Sequence, residues 1–514
     1  MSTLGVEGKE KEKGQHNDKE MASEPRSFKR IIVLGWADIL VAYTLFVMVT
    51  YLTNVWKMDF THATAVMNVF YGVSAIMPIG MAYLVDTLVG HFWMLLVSSI
   101  AYSIGLGFLA MSTPPVLSKV TGTSSRYEKA CIGNVQMAKN LGTLMVLIGP
   151  IVGAIALPYI HPWSVRFGIP AICTSVATLL FSSDCGSYRF VKPQGSPLTH
   201  VFRVFVASTL KMHHPPNTNN AEPYGMHDPG EDVMPHTKGL RCLDKAAVVL
   251  PSRPQNGWTL CRVTEVEETK AIIRMIPMWI TFAIFGVVLS FGNTYFVEQA
   301  NHMNRKVGRL SFPLPIFLVF SECSKSLASN LYEKLSSDLG ERRKSMPHQL
   351  ELHQECCITA AKVEARRLDV IRKHGLLDKP DDTIPMSIFW LLPQFLLLGS
   401  LHGFAHNDIK DFFRKQTPNS MNKYINHFIS SSFGAGSLGS VLSVYIVSHA
   451  SNSKQGRRPS WFQDTLNRSR LDNYYWTLAV LSSINFLVFL LIAYKGAANK
   501  ETRAGSPLNC DDDD

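Results

Sequence analysis

Long apolar blocks separated by polar stretches set the pattern of this chain. Ten blocks stand out, at 31–54, 64–86, 91–112, 138–160, 167–183, 271–296, 312–331, 385–405, 427–449 and 474–494. Crossing about 30 Å of hydrocarbon at 1.5 Å per residue takes about 20 predominantly apolar residues, and most of the blocks reach that length. The clearest are "FWMLLVSSIAYSIGLGFLAM" (92–111) and "YYWTLAVLSSINFLVFLLIAY" (474–494). Gly and Pro recur inside them, as in "VLIGPIVGAIALPYI" (146–160). Membrane helices tolerate both, because neighbouring helices satisfy the freed backbone groups. The pattern predicts an all-α polytopic membrane protein with about ten recognisable spans.

The polar stretches divide the blocks five and five. Residues 184–269, with "HHPPNTNNAEPYGMHDPGEDVMPH", are rich in Pro, Asn and His and follow neither the helical nor the strand period, so most of this stretch reads as loop. Two helical bundles joined by a long cytosolic linker is the arrangement of major facilitator transporters. The predicted limits are a polar tail at 1–30, bundles at 31–183 and 270–495, the linker at 184–269 and an acidic tail at 496–514. Tail and linker are both basic, so both belong in the cytosol, which needs an even number of spans between them. Five are found. The polar stretch 113–137 is where one is missing, and 332–384, apolar only at "CCITAAKV" (356–363), is too charged for a recognisable span.

Composition sharpens this picture. The 514 residues are 46% hydrophobic and only 18% charged, with a mean hydropathy of +0.08. That balance fits apolar residues gathered into spans better than several soluble domains. The net charge of +10 lies in the tail and loops, as the positive-inside rule asks, and gives no case for nucleic acid. Nine cysteines are scattered, with Cys356 and Cys357 the one close pair, and no spacing suggests zinc or a disulfide framework. The linker histidines His213, His214, His227 and His236 are too irregular for a metal site. The sequence implies no cofactor. The first 28 residues are polar, so the first span serves as the insertion signal. Neither HExxH nor a GxSxG in a suitable context points to an enzyme.

Several stretches together resemble the plant nitrate and peptide transporter family, within the proton-dependent oligopeptide transporters of the major facilitator superfamily. They are "FGIPA" (167–171), "KPQGSPLT" (192–199), "LDKAAV" (243–248), "CRVTEVEETKAIIRMIPMW" (261–279), "TYFVEQANHMNR" (294–305), "SIFWLLPQFLLLG" (387–399) and "DNYYWTLAVLSSINFLVFLLIAY" (472–494). The resemblance implies twelve spans, alternating access and a central cavity. It identifies the absent fourth span and the degraded ninth, a pattern that altered splicing or a faulty gene assembly would also leave.

Site residues follow from the same resemblance. The family's ExxER motif on the first span falls, counting from "YLT" (51–53), on Leu34, Gly35, Trp36, Ala37 and Asp38. Both glutamates are gone and Asp38 stands where the arginine belongs. A carboxylate there costs about 2.5–3.5 kcal/mol to insert and should face the bundle interior or water. Two readings stay open, a proton carrier and an acid that ties two helices. Lys139 is a weak substitute for the family's coupling lysine, since it lies where a side chain snorkels. On the tenth span, the register of the family's acidic residue gives His402, with His406 one turn on and on the same face; imidazoles titrate between pH 5 and 8. Asp408 follows. Glu298 and Gln299 close the seventh span, either lining a cavity mouth or lying exposed at the interface. The gate motif keeps Asp86 and Gly90, with Asp86 placed to cap the next helix. The sequon "NRS" offers Asn467 for glycosylation.

The resulting expectation is a secondary active transporter of a small solute (nitrate, a short peptide or a plant metabolite) with protons, in the plasma or vacuolar membrane. The competing expectation is a non-transporting membrane protein of transporter descent. Reporter fusions at 120, 220 and 350 test the layout, and the fusion at 220 is expected on the cytosolic side. A reporter exposed on the opposite face there would break the two-bundle topology.

Overall fold

The computed structural model describes residues 35, 37–38, 40–113, 160, 163–183, 195–212, 237, 239–249, 258–338, 346–452 and 460–504. The tail 1–30, the polar stretch 114–137, Lys139, the block 138–160 apart from Ile160, and the four linker histidines lie outside them. The described residues are almost wholly helical. The helices are α1 (Met48–Asn54), α2 (Phe60–Leu84), α3 (His91–Met111), α4 (Trp163–Ser182), α5 (Pro197–Leu210) and α6 (Arg241–Asp244). Then come α7 (Val263–Asn293), α8 (Tyr295–His302), α9 (Ile316–Asp338), α10 (Met346–Lys373), α11 (Leu392–Gln416), α12 (Ile425–Ser451) and α13 (Leu471–Ala504). Strands are minor. β1 (Met303–Asn304) pairs in parallel with β4 (Ile384–Ser387), and β2 (Lys306–Val307) pairs with β3 (Leu310–Ser311) in a hairpin that turns at Gly308.

Seven of the ten predicted spans reappear as helices long and apolar enough to cross a bilayer: Phe60–Val89, His91–Met111, Trp163–Ser182, Val263–His302, Ile388–Gln416, Asn419–Ser451 and Leu471–Ile492. Their outer faces carry large bare side chains, Val97, Ile104 and Phe108 on α3 and Ile484, Leu487 and Leu491 on α13 among them. Water would penalise such stripes, whereas lipid covers them. The block 312–331 becomes α9, whose mean hydropathy is lowered by Glu322 and Lys325.

A helix also fills part of the charged stretch 332–384. The 28 residues of α10 would run about 42 Å at 1.5 Å per residue. Its buried positions recur at Cys356, Ala360, Glu364, Arg367 and Ile371, a helical period, while Glu355, Lys362, Arg366 and Asp369 are exposed. Mean hydropathy averages the two faces and so hides the helix, because its inward stripe itself contains two charges.

The described residues pack as two units. The first lies within Met1–Trp56, Leu88–Pro193 and Arg305–Val319. In it α3 packs on α4, Val41, Leu106 and Ala171 share an apolar cluster, and Ser99 and Thr178 join their hydroxyls at 2.6 Å. The second lies within Lys57–Thr87, Gln194–Asn304 and Phe320–Asp514. Its core gathers Met278 and Phe282 of α7, Ile409 and Phe413 of α11, Ile429 of α12 and Phe489 of α13. The linker helix α5 belongs to this unit. Ser196 caps it, accepting from Leu198 N at 3.2 Å with Pro197 at the first helical position. Val204 and Ala207 seat it on Leu243, Ala246 and Val266. Burial there, with Glu265 alongside, pushes the Cys261 thiol up to about 11.

Packing cuts across the predicted halves at α2. That helix, from the first five blocks, runs along α12, from the last five, and α12 packs on α7 as well. Small residues make this possible, since membrane helices gain most from close backbone approach. A Cβ on Gly434 would sit 2.7 Å from Gly72 O, and one on Gly286 would sit 2.6 Å from Phe433 O. Gly434→Ala and Gly286→Ala are therefore each expected to cost about 1–3 kcal/mol through overpacking, read as a lower unfolding midpoint in detergent. Gly105→Ala, with open space at its Cβ, serves as the control. Equal midpoints for all three would show that α12 is not clamped.

Candidate functional site

Asp86 lies in the single turn of π-helix, Val85–Val89, that follows α2. It does not cap α3: the residue there is Gly90, at φ +78°, and no side chain caps the helix. Its carboxylate turns instead toward the start of α12, accepting from the Tyr424 hydroxyl and pairing with Lys423 Nζ at 2.8 Å. Ser196, the cap of α5, joins Tyr424 at 2.6 Å, and Gly195 N donates to Asp86 O at 3.0 Å. The gate motif, the linker helix and α12 are thereby tied at one point. Gly90 holds its place because its left-handed backbone disfavours any side chain.

A second polar cluster gathers around the ends of α8 and α10. Glu364 and Arg367, one turn apart on α10, are both fully buried. They meet twice, Nε to Oε2 at 2.7 Å and Nη2 to Oε1 at 2.8 Å. Two of the three remaining guanidinium hydrogens reach Asn467 Oδ1 at 3.2 Å and Leu466 O at 3.0 Å. Gln299 Nε2 donates to Glu364 Oε2 at 2.7 Å, and Gln394 Nε2 donates to Gln299 Oε1 at 3.3 Å. This answers nearly all that two buried charges require. Glu298 and Gln299 are each about 1% exposed, so neither lies at an open interface; Glu298 is in contact with His302, Nε2 to Oε1 at 3.1 Å. Asn467 is likewise enclosed. Its amide nitrogen donates to Leu376 O at 3.1 Å, and a glycan on that nitrogen would displace the bond and crowd Arg367. The folded chain uses the sequon's asparagine as structure.

The third cluster lies along the seam of α9 and α11. Gly399 and Gly403 bring α11 against the backbone of α9 at Ser321 and Lys325. Ser324 donates to Leu396 O at 2.7 Å and meets Ser400 at 2.8 Å. His402 is partly buried with its ring edge-on to Phe433, 5.4 Å between centroids, and the Lys325 charge bears on both His402 and His406. Tyr332 donates to Asp411 Oδ2 at 3.0 Å. Asp38, in the first unit, is exposed, and its Oδ1 accepts from the Tyr102 hydroxyl at 3.2 Å. The structure thus joins His402 and His406 to one seam and Glu298 and Gln299 to one network. Among the described residues no group of three or more His, Cys, Asp or Glu is arranged to hold a metal.

Comparison with known proteins fixes the lineage. A family profile described as "PTR2: POT family" matches residues 68–462. The chain belongs to the POT family. It is 40% identical over 506 residues to "Protein NRT1/ PTR FAMILY 5.5" of Arabidopsis thaliana, covering 90% of this chain and 95% of that one. Identity to "Protein NRT1/ PTR FAMILY 5.4" of Arabidopsis thaliana is 28% over 533 residues, covering 92% and 95%. The in meso crystal structure of the POT family transporter PepTSo shares the fold at a TM-score of 0.56 and 15% identity, with 92% of this chain and 98% of that one covered.

Within this POT family member, pattern reading missed Glu364, Arg367, Gln394, Lys423 and Tyr424. The first two carried a usable signal: they fall on the same helical stripe as Cys356 and Ala360, so a periodicity count over 356–371 would have placed two charges inside. Nothing in the sequence marked Tyr424 as the partner of Asp86, 338 residues away.

Arg367→Met alone strands a buried carboxylate, and a loss of about 3–5 kcal/mol is expected, measured by unfolding in detergent. The double variant E364M/R367M is expected to cost less than R367M alone. A double variant as damaging as the sum of the two singles would remove the ion pair from the account.

Proposed function

We propose that this chain is a secondary active transporter that carries a small polar or anionic solute across a plant plasma or vacuolar membrane together with protons. Family membership over 68–462 carries the reading, and its crossing helices supply the scaffold. The proton route departs from the family pattern. Neither glutamate of the ExxER register is present, and the acid that remains, Asp38, is tied to Tyr102. Titratable groups are concentrated instead on the α9–α11 seam, where His402 takes the place of an acid.

Imidazole suits the task, because it can take a proton on one ring nitrogen and release one from the other, and it carries a positive charge when both are protonated. Lys325 beside it favours an anion in the same space, and a bound anion would in turn offset the repulsion that opposes a proton on His402, so solute and proton would bind together. Nitrate and a dipeptide are the probes that separate the candidate solutes.

Uptake into proteoliposomes is expected to rise with an inwardly directed proton gradient and to vanish with a protonophore. His402→Ala is expected to lower it about tenfold or more, an effect of about 1.4 kcal/mol, while Asp38→Asn has a smaller effect. Flat uptake of both probes by folded protein would favour the non-transporting alternative.

A further inference from the structure

The linker helix α5 is turned inside out by the standards of a helix in water. Its inward side, Val204, Ala207, Ser208 and the following Lys211, is buried. Val204 and Ala207 pack on α6 and the start of α7, and Ser208 donates to Cys242 O at 2.7 Å. On the opposite side Phe202, Phe205, Val206 and Leu210 recur at helical spacing, all exposed, Phe202 to 59%, and Met212 continues the strip past the helix end. The polar residue among them, Thr209, turns its hydroxyl back to the carbonyls of Phe205 and Val206. The 14 residues of α5 make this strip about 21 Å long at 1.5 Å per residue. A contiguous apolar face of that kind marks a surface that something apolar covers.

Lipid is the cover that the neighbouring elements supply. The Phe202 ring stands edge-on to Tyr83, 6.3 Å between centroids, in the last turn of α2, and α2 lies in the crossing stretch Phe60–Val89. That helix exposes Val66, Val69, Phe70 and Val73 in turn. The inward side of α5 rests on Val263 and Val266 of α7. Val266 comes five residues before the apolar block that begins at 271, about 7.5 Å along the axis. The helix therefore stands where a bilayer passes from hydrocarbon to headgroups, the depth at which amphipathic helices lie in the membrane plane. Its charges suit that place. α5 contains no acid, its cations His200 and Arg203 face Glu265 of α7, and Arg241 is exposed at the start of α6. Nothing on α5 repels the negative surface of a cytosolic leaflet.

We propose that α5 is an in-plane lipid-binding helix, with Phe202, Phe205, Val206 and Leu210 seated among the acyl chains of the cytosolic leaflet. The choice of leaflet rests on the transporter reading, while the contact with lipid does not. The helix is also the one that holds the gate motif. Its cap, Ser196, meets the Tyr424 hydroxyl at 2.6 Å, and Gly195 N donates to Asp86 O at 3.0 Å. Lipid that grips α5 thus steadies the point where the turn after α2 is fastened to α12.

Photocrosslinking of the full chain in nanodiscs of phosphatidylcholine and phosphatidylglycerol tests this. Benzoylphenylalanine replaces Phe205 or, separately, Leu210, both exposed and so open to change without repacking. Leu487, bare on α13, is the positive control, and Lys379, exposed in the turn after α10, is the negative one. Illumination is expected to add the mass of one phospholipid to the tryptic peptide Val204–Lys211 with either α5 probe. A phospholipid adduct is likewise expected at Leu487 and none at Lys379. With the probe at Leu210, F202S/F205S is expected to lose most of the adduct. Folded protein that gives the adduct at Leu487 but not on α5 would overturn the proposal. So would a crosslink from α5 to a second copy of the chain in place of lipid, or a Leu210 adduct undiminished in F202S/F205S. A phospholipid adduct on α5 together with flat uptake of nitrate and dipeptide would instead count against the transporter reading alone.

Discussion

Hydrocarbon offers a polar group no partner, so a donor, acceptor or charge that this chain buries is costly unless another part of the chain answers it. That constraint explains why the described residues are almost entirely helical, since a helix closes its own backbone bonds. It also explains where the polar side chains are found. Glu364 and Arg367 answer one another, and Asn467, Leu466 and Gln299 take up what is left. Lys270, fully buried, is held by Glu267, Asp244 and the carbonyl of Thr237. Such groups draw separate elements together, because no single helix can satisfy them.

Apolar contact contributes differently in a membrane. Lipid tails solvate leucine as well as another helix does, so helices choose one another by shape and by polar contact. Here α12 lies against both α2 and α7 where glycines allow close approach, Gly434 against Gly72 and Gly436 against Gly286, and α11 meets α9 at Gly399 and Gly403. Beside a buried apolar core around Phe282, Phe413 and Phe489, many bulky apolar residues, Val97, Phe108 and Leu487 among them, point outward. In a water-soluble protein they would form the core, but here they mark the boundary with lipid.

Alternating access needs rigid bodies and a few adjustable ties. The Glu364–Arg367 network belongs to the rigid kind, being buried and bonded on nearly every side. The Asp86 tie differs, since Lys423 is half-exposed and the tie holds the π-helical turn after α2 to the start of α12 and the linker helix. The seam of α9 and α11 holds the titratable groups, placed on helices in contact through glycine. Rigid frame, polar tie and titratable seam thus occupy separate parts of the second unit.

The sequence alone determined that this is a membrane protein, roughly where its helices cross, and which family it belongs to, because apolar block length and motif order are local properties that survive without coordinates. It singled out His402, His406 and Asp86 as candidates, but it could not supply the surroundings of the polar side chains it named. Glu298 and Gln299, read as lining a cavity mouth or lying exposed at the interface, are buried; Asn467, offered as a glycan acceptor, donates to Leu376 O; Asp86, read as a helix cap, accepts from Tyr424. The helix α10 escaped because its inward face carries charge, which an average over residues counts as exposure. Only tertiary structure decided these cases. Whether a polar side chain is a cost, a tie or a working group depends on the partner opposite it, and that partner is brought close by folding from far along the chain.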